Sequence, residues 1–426
     1  MIQEIRLSNF FSIKDEIVLD LKAGSLKTQK SRRLDQNVIN FNDKHILKTI
    51  AIYGSNAAGK SNLINAIRFC ARMIFNSHTH NENAIFNFQP FKFNNYSSKP
   101  STFLINFIIE ETEYEYSFSL TRNEILTEAL YHYPNGRRAK VFTRNEGSEP
   151  DKANVYSFGS VIRRPMDVAS NTSRKTLFIS RASQMDRDIA KKLFWYFHNM
   201  FILDYYGIGA ELFEKLFTEN KELLLESLQI ADNDICDIKI QKESRLTKNF
   251  RADFKSKEVS VEDADQEFIT LKSFHKTAPK ISFDFDSEES EGTKRFFFIM
   301  LTILDIIKEN KTLIIDEIET SLHSRIVEYI IGLFHKGDRA QLIYSTHNTN
   351  LLNMDFLRKD QIYFINKKQD ASSELYSLFD YKEFRDTMDA EKAYLQGRFD
   401  ALPIINEASE ALNLKEDEQK KTEIKE

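Results

Sequence analysis

One loop in the chain has the residue types and spacing of a phosphate-binding site. It reads GSNAAGKS over residues 54–61, which is the complete GxxxxGKS pattern. Such a loop aims backbone N–H groups and a helix N-terminus at phosphate oxygens, its lysine adds charge, and its serine can bind Mg²⁺. The predicted ATP-contacting residues are Gly54, Ser55, Asn56, Ala57, Ala58, Gly59, Lys60 and Ser61. The alternative is an unrelated Gly-Lys-Ser turn.

A second group of residues could act on a nucleotide held by this loop. The sequence LIIDE over residues 313–317 predicts a buried strand that ends in two carboxylates. Asp316 would bind Mg²⁺ through water, and Glu317 is placed to orient or deprotonate an attacking water. The alternative is a strand that ends in two solvated acids.

Two further motifs narrow the chemistry. Ser290 and Gly292, in SEGTKR, precede an apolar helix and could form a second anion-binding surface that closes over the γ-phosphate of another subunit. An ordinary helix cap is the alternative, because Ser and Glu are common there. His347 follows the next apolar strand and could hydrogen-bond the γ-phosphate, although a lone histidine at a strand end is often structural.

The segments around these motifs predict an α/β fold. Residues 46–53 (ILKTIAIY) predict a buried parallel strand, and apolar residues from Asn62 onward recur at helical spacing. Residues 85–145 predict antiparallel strands, residues 186–235 predict helices, and strand and helix alternate from about residue 265.

Composition excludes several classes of protein. The chain has 59 Lys and Arg against 64 Asp and Glu, a net charge of −5, so it has no overall positive field for nucleic acid. Its 2 cysteines make no disulfide framework, and it shows no signal-peptide layout and no membrane-length apolar run, so we expect a cytoplasmic protein. One basic run, 239–257, is a candidate surface for nucleic acid or an effector, or simply a charged hairpin or helix face.

Taken together, the sequences YGSNAAGKS, ESEGTKRF, TLIIDEIETSLH and IYSTHNTNLL resemble the ABC-type ATPase heads of the SMC and RecF group. They are more similar to the AAA-family ATPases of bacterial anti-phage systems, the AriA subunit of PARIS and the RloA proteins. The resemblance implies ATP and Mg²⁺ as cofactors and a homo-oligomer, at least a dimer, that shares its ATP sites.

The resemblance also implies roles for particular residues. Lys60 and Ser61 match the Walker A motif, Asp316 and Glu317 the Walker B motif, and Ser290 and Gly292 the signature motif. His347 matches the switch histidine, so the implied catalytic residues are Glu317, His347 and Lys60. Leu322 and His323 match the D-loop. Gln89 is a candidate for the glutamine that serves the lobe-to-lobe loop, or an ordinary turn residue.

The sequence departs from the family pattern at two places. Phe11 stands where many relatives have a basic residue. Glu291 replaces a glycine of the signature motif, so it brings a carboxylate near a phosphate site, where Lys294 could partner it.

These features predict a two-lobed ABC-type head of the phosphate-loop NTPase class, with an antiparallel β subdomain and a helical insertion. The predicted units are 1–185, the first lobe; 186–238, the helical insertion; 239–406, the second lobe; and 407–426, a charged tail. No Asp-x-Asp pair follows His347, so a fused Toprim nuclease is not expected.

The expected function is an ATP-binding and hydrolysing sensor or scaffold of an anti-phage defence system. It would hold a separate toxic effector, such as a Toprim-type nuclease, and release or activate it on a phage-encoded trigger. The alternatives are a DNA-repair ATPase of the RecF or SMC type, whose ATP-driven dimer clamps DNA, and a regulatory module that binds ATP and barely hydrolyses it.

Overall fold

The computed structural model describes residues 1–25, 33–147, 155–202, 210–231, 234–253, 258–320, 322–385 and 388–399. Its strands form two large sheets, a three-stranded sheet and a two-stranded sheet. The charged tail predicted at 407–426 lies outside the described residues. No helix in the described part of the chain is both long enough and apolar enough to cross a membrane.

The first large sheet has seven antiparallel strands in the order β10-β9-β8-β7-β6-β1-β2. Its strands are β1 (Ile2–Ser8), β2 (Ile17–Asp20), β6 (Ser101–Ile109), β7 (Thr112–Leu120), β8 (Ile125–His132), β9 (Ala139–Asn145) and β10 (Tyr156–Phe158). The antiparallel strands predicted within 85–145 are confirmed, and the chain's first two strands complete the same sheet.

The second large sheet carries the candidate site and has the order β11-β15-β16-β5-β17-β18. Its strands are β5 (Thr49–Tyr53), β11 (Phe201–Ile202), β15 (Thr312–Ile315), β16 (Gln341–Ser345), β17 (Ile362–Lys367) and β18 (Ser373–Ser377). All neighbours are parallel except β17 and β18. The predicted parallel sheet is therefore confirmed.

The prediction of one strand over 46–53 was wrong. The structure has two strands there, β4 (Lys44–Leu47), which pairs with β3 (Val38–Phe41), and β5. The chain changes partners at Lys48, whose N–H donates to Asn37 O and whose carbonyl accepts from Leu342 N. The Lys48 Nζ group donates to the carbonyls of His335 and Gly337, at 2.9 and 2.6 Å, so a cation caps a helix end at this junction.

Nine helices in the described residues pack against these sheets. They are α1 (Lys60–Asn76), α2 (Pro165–Ser170), α3 (Phe178–Gln184), α4 (Asp188–Met200), α5 (Ala210–Ala231), α6 (Phe285–Glu288), α7 (Glu291–Lys308), α8 (Ser324–Lys336) and α9 (Ala390–Leu395). Alternate residues of β5 face different cores, because Ile50 and Ile52 pack with α1 whereas Ala51 and Tyr53 pack with α7 and α8. The parallel sheet is thus buried on both faces.

The helices predicted at 186–235 are present as α4 and α5, and they join different cores. Leu193 and Phe197 of α4 are buried with α1 and the antiparallel sheet, whereas Phe217 and Leu224 of α5 are buried with α7. The unit boundaries at 186 and 238 stay a prediction.

Residues 239–253 of the basic run lie in one strand of a long hairpin. Strand β12 (Ile235–Asp253) pairs antiparallel with β13 (Glu258–His275), which continues to β14 (Ala278–Asp284). The register sets Lys248 opposite Asp263, and Lys242 pairs with Glu214 of α5 at 2.9 Å. Residues 239–267 contain seven Lys or Arg and seven Asp or Glu. Because the second strand balances the charge of the first, the charged-hairpin interpretation is favoured.

Candidate functional site

The phosphate loop leaves β5 at Tyr53 and enters α1 at Lys60. Gly59 has φ 118°, and Ala57 has φ 61°. The Lys60 side chain is 5% exposed and folds back on the loop, where Nζ donates to Gly54 O at 2.9 Å and to Ser55 O at 3.1 Å. Burial lowers the pKa of Lys60, against the opposing effect of Asp316 and Glu317. The lysine is therefore held inside the loop, close to the predicted Walker B acids.

Two serines that sequence reasoning missed hold this loop in place. Ser373, the first residue of β18, donates from Oγ to Ala58 O at 2.5 Å, and the same Oγ lies within hydrogen-bond distance, 2.8 Å, of Ser12 Oγ. Asn62 of α1 donates to the same Ser12 Oγ at 2.7 Å. A Cβ on Gly59 would lie 2.2 Å from Ser373 Oγ, so this position needs glycine for space as well as for its φ. The only sequence signal was the position of Ser12 in the opening LSNFFSI.

The two acids follow β15, whose neighbour β16 supplies the residue that positions them. Ser345 Oγ donates to Asp316 Oδ1 at 2.5 Å and accepts from Glu317 N–H at 2.8 Å. Asp316 is half-buried and Glu317 is exposed, with a left-handed φ of 50°. One hydroxyl thus fixes the carboxylate of the first acid and the backbone of the second. Ser345 was not predicted, because its role depends on strand pairing across 28 residues of sequence.

We expect Ser345→Ala to slow nucleotide hydrolysis and to lower the free energy of unfolding by about 1–3 kcal/mol. The reason is that the change leaves Glu317 N–H and one Asp316 oxygen without their shared partner. Ser345→Thr keeps the hydroxyl and is the matched control. Urea unfolding and a phosphate-release assay measure the two effects. Equal rates and stabilities for the Ala and Thr variants would contradict this role.

His347 lies at the same edge, just beyond β16. Its side chain is exposed, and its backbone N–H donates to Glu319 Oε1 at 2.5 Å. Partial burial and the charge of Lys60 lower the pKa of His347, while Glu319, Glu317 and Asp316 act to raise it. The structure therefore brings His347, Lys60 and the two acids within electrostatic reach of one another. Glu319 also belongs to this group of charged residues, and sequence reasoning missed it.

The SEGTKR segment forms the start of α7. Ser290 is its N-cap, with Oγ accepting from Thr293 N–H at 3.0 Å, so the helix-cap alternative describes its local contacts. Glu291 and Lys294 form an ion pair at 2.5 Å, as their spacing suggested. Arg295, one residue further on, donates to the Glu317 carbonyl at 3.3 Å. The predicted signature segment and the predicted Walker B segment of one chain are therefore directly linked.

Three other residues singled out by sequence lie near these elements. The Gln89 carbonyl accepts a hydrogen bond from Phe11 N–H at 2.7 Å. Gln89 therefore lies close to Ser12, the next residue in the chain after Phe11. His323 is the N-cap of α8, where Nδ1 accepts from Arg325 N–H at 3.2 Å. The predicted roles of Gln89 and His323 stay predictions.

The donor set at this edge fits a hard divalent cation bound with a polyphosphate. Ser61 is exposed in the first turn of α1, and Asp316 is oriented through one oxygen by Ser345. Hydroxyl and carboxylate oxygens are the ligands that Mg²⁺ uses alongside substrate phosphates. The lysine and helix N-terminus supply positive charge where a polyphosphate would lie.

The fold and the loop define a mixed α/β protein of the phosphate-loop NTPase class, as the sequence predicted. Residues 50–353 match the family described as "AAA domain, putative AbiEii toxin, Type IV TA system". That match spans more than half of the chain, and the protein belongs to this family.

No curated protein matches the sequence. Two solved structures are similar to the chain in fold. The SmcHead solved with the C-winged helix domain of ScpA is 15% identical with a TM-score of 0.40, covering 92% of this chain and 99% of its own. The SMC head domain from Thermotoga maritima is 13% identical with a TM-score of 0.38, covering 88% and 98%.

Proposed function

We propose that the protein binds and hydrolyses ATP as the sensor or scaffold subunit of an anti-phage defence system. The observation that carries the ATPase assignment is that Lys60, Asp316, Glu317 and His347 follow the carboxyl ends of the neighbouring parallel strands β5, β15 and β16. The defence role is supported by the family description, which names a putative toxin of a toxin–antitoxin system. Under this proposal the chain holds a separate toxic effector and releases or activates it on a phage-encoded trigger.

The proposed chemistry is in-line attack of water on the γ-phosphate. Lys60 would exchange the Gly54 and Ser55 carbonyls for β/γ-phosphate oxygens, and loop N–H groups would bind the remaining charge. Glu317 is exposed with its backbone fixed, and its Oε2 lies 3.5 Å from Thr320 Oγ1, so its carboxylate would be positioned to orient and deprotonate the attacking water. His347 would hydrogen-bond the γ-phosphate and respond to its loss. Mg²⁺, held by Ser61 and Asp316, would neutralise phosphate charge.

The site also suggests that two chains share each nucleotide. In the described residues, the Ser290 side chain hydrogen-bonds only within its own helix turn, and none of its bonds reach the phosphate loop of the same chain. Its hydroxyl, the α7 N-terminus and Gly292 would face the γ-phosphate bound by a second copy. The Arg295 contact to Glu317 would then report this closure to the general base of its own head.

The experiment that tests the defence role is a plaque assay on cells carrying the gene with its native neighbours. The proposal predicts reduced plating of phage with the wild-type chain and full plating with Glu317→Gln. Glu374→Gln, at an exposed glutamate of β18, is the matched control and should protect like wild type. Protection by Glu317→Gln equal to wild type would show that hydrolysis is not required.

The competing assignment, a DNA-clamping repair ATPase, has less support from the molecule. Its candidate DNA surface was the basic run 239–257, and the acidic strand β13 pairs along the described part of that run. A neutral hairpin offers little of the phosphate attraction that dominates DNA affinity. Of the two candidate partners, a separate effector is therefore better supported than a nucleic acid.

A further inference from the structure

A cavity lies along α1, on residues that have no assigned role in the proposed nucleotide site. It has a volume of about 450 Å³ and is lined by α1, by Phe10 and Phe11 of the loop after β1, and by residues 80 and 85–87. Pockets for small molecules typically measure about 300–1,000 Å³. The cavity is thus large enough for a ligand of nucleotide size.

Two arginines one helical turn apart give this cavity its charge. Arg68 and Arg72 lie on the same face of α1, and Arg68 Nε is buried without a hydrogen-bond acceptor. In the part of the chain that the structure describes, neither arginine forms an ion pair or a side-chain hydrogen bond. No carboxylate among these described residues lines the cavity. An anion bound here would give Arg68 Nε the acceptor that it lacks.

The positive charge extends beyond the two arginines. Lys175 donates to Ala84 O at 2.7 Å, and its Nζ lies 5.9 Å from the centroid of the Phe86 ring in the cavity wall. A guanidinium group can donate two parallel hydrogen bonds to the oxygens of a phosphate. A phosphate is therefore the anion that best matches Arg68 and Arg72.

The rest of the lining fits a flat ring with polar edges. The Phe11 side chain is 39% exposed at the cavity, with its ring 5.0 Å from that of Phe10, and Phe86 lies on another wall. Asn65 and Asn87 add amides that both donate and accept. Aromatic side chains stack on the flat faces of nucleobases, whatever the base.

We propose that this cavity is a second binding site for a nucleoside monophosphate, with the phosphate on Arg68 and Arg72 and the base against Phe11. The ligand could be a free nucleotide or the end of a single strand, since both present the same chemistry. This site goes beyond the proposed ATPase function and does not depend on it.

The test is calorimetric titration of AMP into full-length protein carrying Lys60→Ala, which weakens the phosphate loop. We expect one bound AMP per chain, and an affinity at least about tenfold lower when Arg68→Gln and Arg72→Gln are added. Arg137→Gln, at an exposed arginine beside the β8–β9 turn, is the control and should not change the affinity. Phe11→Ala should weaken AMP but not inorganic phosphate. A 5′-phosphorylated oligonucleotide that binds more tightly than AMP would identify the strand end as the source.

Three results would overturn the proposal. They are no AMP binding at millimolar concentration, an AMP affinity unchanged by the double arginine substitution, and inorganic phosphate binding as tightly as AMP. Because removing a buried unpaired donor should not destabilise the fold, thermal unfolding of the double variant should match that of the parent.

Discussion

Glu317→Gln is expected to retain ATP binding while hydrolysis falls by about 10²–10⁴-fold, the usual contribution of a general base. The side chain is exposed, and its backbone is held by Ser345 and Arg295, so an isosteric amide leaves the loop in place. The amide cannot accept the proton of the attacking water. Phosphate release measures the rate, and titration with a fluorescent ATP analogue measures the affinity.

The control for this prediction is Glu374→Gln, which makes the same chemical change on β18 and should hydrolyse ATP like wild type. Unchanged turnover in Glu317→Gln would remove Glu317 from the role of base. Very slow turnover in the wild-type protein itself would instead favour a module that binds ATP and barely hydrolyses it.

Lys60→Ala is expected to weaken ATP binding by about 10- to 150-fold, the range of a hydrogen bond to a charged group. Without phosphate, the lysine donates to two loop carbonyls in a largely buried position where its charge is poorly solvated. The loop is held independently by Ser12 and Ser373, so the variant should unfold at nearly the wild-type temperature.

Lys280→Ala, at an exposed lysine of β14, is the matched control for loss of charge. ATP affinity of Lys60→Ala within a factor of two of wild type would contradict the phosphate-binding role. A large fall in its unfolding temperature would show that the lysine acts mainly on the structure of the loop.

The sequence predicted the elements that are specified by the residues within them. The phosphate loop, the strand that precedes Asp316 and the helix after Ser290 each carry their own apolar period and turn residues, and all three are present. The strand break at Lys48 was missed, because it depends on hydrogen bonds to Asn37 and Leu342 rather than on the composition of the segment.

The supporting residues of the site could not be found in the same way. Ser373 meets Ala58 across 315 residues, and Ser345 meets Asp316 across 29. Serine is common in loops and strand ends, so nothing in its own neighbourhood marks these two. The balance of charge in the hairpin was also hidden, because it appears only when β13 is paired against β12.

Ser290 connects the site to its proposed assembly. It caps α7 through Thr293, and the adjacent Glu291 is neutralised by Lys294. The extra carboxylate of the predicted signature motif thus has a cationic partner. Ser290→Asp keeps a good helix cap but places a second negative charge at this position. It should therefore prevent Ser290 from closing over the phosphate of a second copy while the helix still folds.

The most direct test of the shared-site account is the solution mass of Glu317→Gln by light scattering, with and without ATP and Mg²⁺. We predict that ATP raises the mass, or that a larger assembly is already present and its stability depends on Ser290. Adding Ser290→Asp should abolish either effect while the helix content is preserved, and Ser290→Thr should keep it. A protein that binds ATP yet stays a monomer would contradict the account and leave a stand-alone nucleotide switch.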